Sequence, residues 1–163
     1  HNKIGVNGRL DTIQAAVLLA KIKIFDKEVG LREIIGKKYT KKLNALGFSN
    51  TPFVELNNNS VYAQYTVQIK NRYKIINFLK EKGIPTSIHY PSLMSDQVAL
   101  NNNKKGFFSK IFSRKLYKSF SLKIAQNLVE KVLSLPMHPL LSEKDQDLIV
   151  DSLINANKKI NKS

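Results

Sequence analysis

The run GVNGRLDTIQAAVLLAKI at residues 5–22 governs how this sequence is read. Residues 1–9, with Gly5 and Gly8 around Asn7, read as a loop. A helix follows. Ile13, Val17, Ala20 and Ile24 make one apolar stripe at spacings of four, three and four. Leu18, Ile22, Phe25 and Val29 make a second stripe on another face, and Ala15 through Ala20 is apolar all round. A helix with apolar surface on every side needs cover on every side. One domain of this size supplies part of that cover, so another domain or a second subunit is expected to pack there.

The helical pattern breaks at Gly30 and resumes after it as a single stripe of Leu31, Ile34, Ile35, Tyr39, Leu43 and Leu46, with Gly47 as C-terminal cap. Residues 49–60 read as a loop, with a short strand at 53–56. Residues 62–69 read as a strand. Ala63, Tyr65, Val67 and Ile69 fall on one face, and Tyr62, Gln64, Thr66 and Gln68 on the other. A helix is expected over 73–82, with Ile75, Ile76 and Leu79 inward and Gly83 as cap. A second strand runs from 85 to 90 and ends at Pro91. The Asn-, Lys- and Phe-rich stretch 101–120 reads as a surface excursion. A helix over 121–132 turns Ile124, Leu128, Val129 and Val132 inward, and a short strand covers 133–136. Ser142 and Asp145 form a capping pattern ahead of a last helix with Leu148, Ile149, Leu153 and Ala156 inward. The tail from Lys158 should fray. The fold class is α+β: a long N-terminal helix plus a small, mostly antiparallel sheet with helices packed on one side.

Composition narrows the chemistry. The chain has 163 residues, the size of one domain, and its hydrophobic fraction of 42% and charged fraction of 24% are globular values. Cysteine is absent, which excludes disulfides, thiolate metal sites and a Cys nucleophile, and a reducing cytoplasm fits. No apolar run reaches the length of a membrane span. His1 stands where a start Met would, so a fragment or processed start is expected. The net charge of +15 would attract anions, nucleic acid among them. The basic residues are spread along the chain, and the one cluster is Lys104–Lys123, with phenylalanines interleaved.

No Walker A run, dinucleotide fingerprint, nucleophile elbow or zinc-protease motif is present. His1, His89 and His138 are too scattered to argue for a metal site. Two segments stand out. In the first, Gly5 to Asp11, glycines allow close backbone approach, a helix start offers N–H groups, and Asn7 and Arg9 add donors suited to phosphate or carboxylate. The structural alternative is a capped helix entry with Arg9 paired to an acid such as Asp11. In the second, Thr86 to Pro91, His89 and Tyr90 collect at a strand end that Pro91 forces out of the sheet. The structural alternative there is a buried, hydrogen-bonded His and a core Tyr.

Four pieces in this order, IGVNGRLDTIQAAVLLAKI (4–22), SVYAQYTVQIKNR (60–72), LKEKGIPTSIHYP (79–91) and LSLPMHPLLSE (133–143), resemble the C-terminal part of the DegT/DnrJ/StrS sugar aminotransferases. The resemblance implies the aspartate-aminotransferase type of fold, a large cofactor domain followed by a small one. Residues 1–30 would then be the helix linking from the large domain and 31–163 the small C-terminal domain, with 101–120 an excursion longer than the family's usual connection. It also implies pyridoxal 5'-phosphate as cofactor, a homodimer formed through the N-terminal helix region, and amino transfer from a donor such as glutamate to a keto group of a nucleotide-linked sugar. GVNGRLDTIQAA and GIPTSIHYP point to the subgroup acting on UDP-linked 3-keto sugars of the N-acetylated hexuronic acid type, used in surface-polysaccharide synthesis in the cytoplasm.

Carried over residue by residue, Asn7 maps to the contact with the cofactor phosphate of the partner subunit. Arg9, His89 and Tyr90 map to positions near the sugar substrate. The cofactor lysine precedes the G-x-N-x-R-L-D segment in the family, so no lysine here is assigned a catalytic role, and this chain alone is expected to be inactive. No metal site is assigned. Two alternatives stand beside this reading. One is a sugar dehydratase of the same family, which differs at the lysine position. The other is a basic nucleic-acid-binding module, which has the charge but no recognisable motif.

Overall fold

Asp11 starts the first helix by folding its carboxylate back onto the Gln14 backbone N–H at 2.7 Å, which satisfies one of the orphan donors of a helix start. The computed structural model describes residues 5–101 and 122–161. Helix α1 (Thr12–Lys21) runs into a single 3-10 turn at Ile22–Ile24 and then into α2 (Phe25–Ala45). The break falls there, and Gly30 lies inside α2. Gly47, at φ +78°, ends that helix in the left-handed conformation expected of it, and Gly83 does the same after the helix Arg72–Glu81.

Strand β1 (Tyr65–Gln68), α3 (Arg72–Glu81), α4 (Val98–Asn101), α5 (Lys123–Lys131), β2 (Val132–Leu135) and α6 (Glu143–Asn161) follow in chain order, with a 3-10 turn at Met94–Asp96. Strands β1 and β2 pair antiparallel in the register Tyr65↔Leu135, Thr66↔Ser134, Val67↔Leu133 and Gln68↔Val132. On the far edge of β2, Ser87 forms an isolated antiparallel bridge with Ser134. The strand expected over 85–90 therefore shrinks to one bridged residue among the described residues.

The chain divides into two compact units. One comprises 10–89 and 131–163 and contains the core. Tyr65, Val67, Leu133 and Leu135 from one sheet face meet Ile35, Tyr39 and Leu43 of α2, Ile75 and Leu79 of α3, and Ile149, Val150 and Leu153 of α6. Each such side chain stabilises the fold by about 1.5–3 kcal/mol through burial. The expected alternation thus holds at Tyr65, Val67 and Ile69, all buried. The α+β class with its small antiparallel sheet holds too. Ser142 caps α6 as expected: its Oγ accepts from the Asp145 N–H at 3.1 Å and donates to the Asp145 carboxylate at 2.6 Å. Lys42 of α2 ties the same end of α6 down through ion pairs with Asp147 and Glu143.

Several expectations are corrected. The strand at 62–69 is shorter because Tyr62 is left-handed, at φ +41°. Its carbonyl accepts from Arg32 at 3.3 Å, its N–H donates to Ser60 Oγ at 3.2 Å, and its ring lies against Gly36. No strand forms at 53–56, where Phe53 and Leu56 are exposed. Ile34, Leu46 and Leu148, expected inward, lie at the edges of their stripes and face outward. The last helix continues through Lys158 to Asn161, where Asn71 donates to the Asn161 side chain at 2.7 Å and Asn161 donates to Asn157.

The other unit comprises the described residues of 1–9 and 90–130. In it, Ile124 of α5 is 79% exposed rather than inward. The surface excursion expected at 101–120 lies outside the described residues from 102 onward. In the core-bearing unit, no residue of α1 is buried. Ile13, Val17, Leu18, Leu19 and Ile22 all remain exposed, as the apolar circumference of that helix led us to expect.

Candidate functional site

The sheet register brings His89 onto a specific pair of hydroxyls. Ser87 bridges Ser134 through both backbone hydrogen bonds, 3.1 and 2.8 Å. Side chains alternate along an extended segment, so Ser87 and His89 share the face that carries Thr66 and Ser134, opposite the core face. There the half-buried His89 places Nδ1 2.9 Å from Ser134 Oγ, and Ser134 Oγ lies 2.7 Å from Thr66 Oγ1. Ser134 itself is buried, at 4% exposure. A buried hydroxyl needs its hydrogen bonds made within the protein, and these two partners supply them.

Asn7 and Arg9 lie exposed in the stretch without helix or strand ahead of the Asp11 cap. Gly5 and Gly8 border them, and a Cβ added at either glycine would meet no atom within 4 Å. The loop is open to a ligand approaching from outside. The Asp11 carboxylate is engaged with the helix start. Tyr90 is exposed, so the structural alternative of a core Tyr fails. Asn7, Arg9 and Tyr90 fall in the unit of 1–9 and 90–130, whereas His89 falls in the unit that holds the core. Among the described residues no group of three or more His, Asp or Glu could hold a metal ion, and no helix is long and apolar enough to cross a membrane.

Sequence reasoning missed Thr66 and Ser134. The available signal was the strand face that carries Tyr62, Gln64, Thr66 and Gln68.

Residues 1–154 match the DegT/DnrJ/EryC1/StrS aminotransferase family. The chain belongs to this family. It is 39% identical over 155 residues to the UDP-2-acetamido-2-deoxy-3-oxo-D-glucuronate aminotransferase of Pseudomonas aeruginosa, an alignment covering 95% of this chain and 39% of that protein. It is 28% identical over 149 residues to the dTDP-3-amino-3,6-dideoxy-alpha-D-galactopyranose transaminase of Aneurinibacillus thermoaerophilus, covering 91% of this chain and 37% of that protein. Among solved structures, a DegT DnrJ EryC1 StrS aminotransferase from Brucella abortus superposes with a TM-score of 0.72 at 35% identity, over 94% of this chain and 38% of that one. DesV of S. venezuelae superposes with a TM-score of 0.75 at 25% identity, over 98% of this chain and 40% of that one. The chain therefore spans about two fifths of the length of these family members. The family expected from the four sequence pieces is the family found.

Proposed function

We propose that the protein carrying this chain is a pyridoxal phosphate-dependent aminotransferase. It moves an amino group from an amino acid donor, glutamate, to a keto group of a nucleotide-linked sugar. The observation that carries the proposal is the alignment along 95% of the chain with a relative named for its action on a UDP-linked 3-oxo-glucuronate. From it we infer a UDP-linked 3-keto sugar of the N-acetylated hexuronic acid type, used in surface-polysaccharide synthesis in the cytoplasm.

The residues fit the cofactor. The open glycine-bordered loop exposes the Asn7 amide, which can donate to a dianionic phosphate without adding charge. We assign Asn7 to the cofactor phosphate of the partner subunit. When bound, the cofactor supplies an electron sink for carbanion chemistry, and the protein supplies placement. Arg9, His89 and Tyr90 are assigned to the sugar nucleotide. The Arg9 guanidinium can grip a carboxylate or phosphate with two parallel N–H donors. A His89 ring N–H and the Tyr90 hydroxyl orient sugar oxygens. The unburied apolar surface of α1 supports a homodimer that closes over this helix region.

The test is to supply the full-length protein with glutamate and the UDP-linked 3-keto sugar. The expected product has gained an amine, with one 2-oxoglutarate formed per sugar. A product that has lost water and gained no nitrogen would replace this reading with the dehydratase. Salt-sensitive binding of DNA or RNA with no conversion of the sugar would favour the basic binding module.

A further inference from the structure

We propose that the recess between the second half of α2 and the loop 49–54 is a further ligand site, one that takes a nucleotide, with the phosphate on Lys41 and the base on Phe53. The recess shares no residue with Asn7, Arg9, His89 and Tyr90, so the proposal stands independently of the sugar reading.

The recess holds about 510 Å³, within the roughly 300–1,000 Å³ of small-molecule sites. Lys37, Lys41 and Asn44 share one face of α2, because positions three and four apart are neighbours on a helix. The charges on that helix are unequally answered. Lys37 pairs with Glu33 at 2.6 Å, and Lys38 and Lys42 pair with acids at the start of α6. Lys41 is exposed and forms no ion pair among the described residues. Like charges four apart on a helix repel, so an anion seated at Lys41 and Lys37 relieves a standing repulsion. No acidic side chain lines the recess among the described residues.

Hydrogen-bonding capacity points the same way. Asn44, Ser49 and Thr51 line the recess, and their side chains make no hydrogen bond among the described residues. Tyr62 lines it too and is buried, at 8% exposure, yet its hydroxyl has no hydrogen-bond partner among the described residues. A buried tyrosine hydroxyl usually has one. The Thr40 hydroxyl is already engaged: it donates to the Gly36 carbonyl at 3.2 Å and meets the Tyr65 hydroxyl at 2.8 Å. The Lys41 ammonium, the Asn44 amide and the hydroxyls of Ser49, Thr51 and Tyr62 remain. That set suits phosphate and sugar oxygens.

The other wall is apolar and held in place. The Asn50 carbonyl accepts from the Gln68 N–H at 3.1 Å, and Val54 packs against the core. Between these two anchors Pro52 and Phe53 line the recess, and Phe53 is 82% exposed. A flat ring kept in water beside phosphate donors fits base stacking, which any base can supply through its π face. A loop already fixed by its backbone lowers the cost of ordering on binding. Inorganic phosphate would answer Lys41 and leave Phe53 uncovered, so the two walls together select a nucleotide.

The experiment is a calorimetric titration of ADP into the full-length protein and into its Lys41→Gln, Phe53→Ser and Arg9→Ala variants. ADP is the probe because the sugar site is assigned to a UDP-linked ligand. Wild type should bind ADP saturably, and adenosine or inorganic phosphate alone more weakly. Lys41→Gln should weaken binding about tenfold, the effect of losing one hydrogen bond to a charged group. Phe53→Ser should weaken it about fivefold or more through lost stacking. Arg9→Ala should bind as wild type does. Lys41 and Phe53 are exposed, so both variants should keep the wild-type melting temperature without ligand. Absence of saturable ADP binding to wild type, binding indifferent to both Lys41→Gln and Phe53→Ser, or binding lost in Arg9→Ala overturns the proposal.

Discussion

Gly36 and Gly30 lie six residues apart in the same helix, and replacing each with Ala should move stability in opposite directions. In both cases Ala gains up to about 1 kcal/mol in intrinsic helix propensity. At Gly30 an added Cβ meets nothing within 4 Å, so the gain should be realised. At Gly36 the Cβ would sit 2.6 Å from Tyr62 Cδ2 and 2.7 Å from its Cγ and Cε2. Ordinary carbon contacts are about 3.5–4.0 Å, so the ring would have to retreat by roughly 1 Å. Little allows it to. Tyr62 is buried, its ring stacks on Tyr65 at 5.9 Å, and Arg32 holds its carbonyl. Overpacking of this kind costs about 1–3 kcal/mol, more where the neighbour is held. Gly36→Ala should therefore destabilise by about 1–2 kcal/mol net, and the two variants should differ by about 2–3 kcal/mol. Urea unfolding with unchanged m-values measures this. In a Tyr62→Gly background the left-handed backbone is relaxed and the ring removed, so Gly36→Ala should become stabilising. If Gly36→Ala in the wild-type background is as stabilising as Gly30→Ala, the packing of Tyr62 on α2 is wrong.

Alkaline pH should unfold the protein through its buried tyrosines. Burial pushes the Tyr65 phenol up to about 12 and Tyr39 further still. Above about pH 10 the unfolded phenols ionise while the folded ones stay protonated, so unfolding releases protons and stability falls as pH rises from 10 towards 12, by about 1.4 kcal/mol per unit per tyrosine. Urea midpoints should show this slope, and Tyr65→Phe should reduce it; a flat profile would show that the phenols are not buried. The uncovered apolar surface of α1 should make the isolated chain self-associate or bind a hydrophobic dye, and Leu19→Lys, at a position 69% exposed, should weaken either behaviour without lowering the melting temperature. Sedimentation of a clean monomer that binds no dye would contradict this.

The elements whose causes are local were legible in the sequence. Gly47, Gly83 and the Ser142–Asp145 pair mark helix ends because their chemistry acts within a few residues. The apolar run of α1 announced a helix none of whose residues is buried among the described residues. What escaped depends on distant partners. Tyr62 ends its strand early because Gly36 makes room for its ring and Arg32, 30 residues away, holds its carbonyl. Periodicity gives the centre of an apolar stripe but not its width, so Ile35 and Ile149 are core whereas Ile34 and Leu148 face outward. The open loop at Asn7 was readable from its glycines. The Thr66–Ser134–His89 chain joins residues 68 and 45 positions apart, and only the sheet register brings them together.

The division of labour between Asn7 and His89 is the most direct test of the account. Pyridoxal phosphate is titrated into the apo forms of full-length Asn7→Ala and His89→Ala, and the half-reactions with amino donor and sugar nucleotide are then run separately. Loss of one hydrogen bond to a charged group, about 1.5–3 kcal/mol, should weaken cofactor binding about tenfold or more in Asn7→Ala. His89→Ala should bind cofactor and react with the amino donor as wild type does, and lose efficiency with the sugar alone. Loss of cofactor in His89→Ala, or wild-type cofactor binding in Asn7→Ala, would contradict the assignment of both residues.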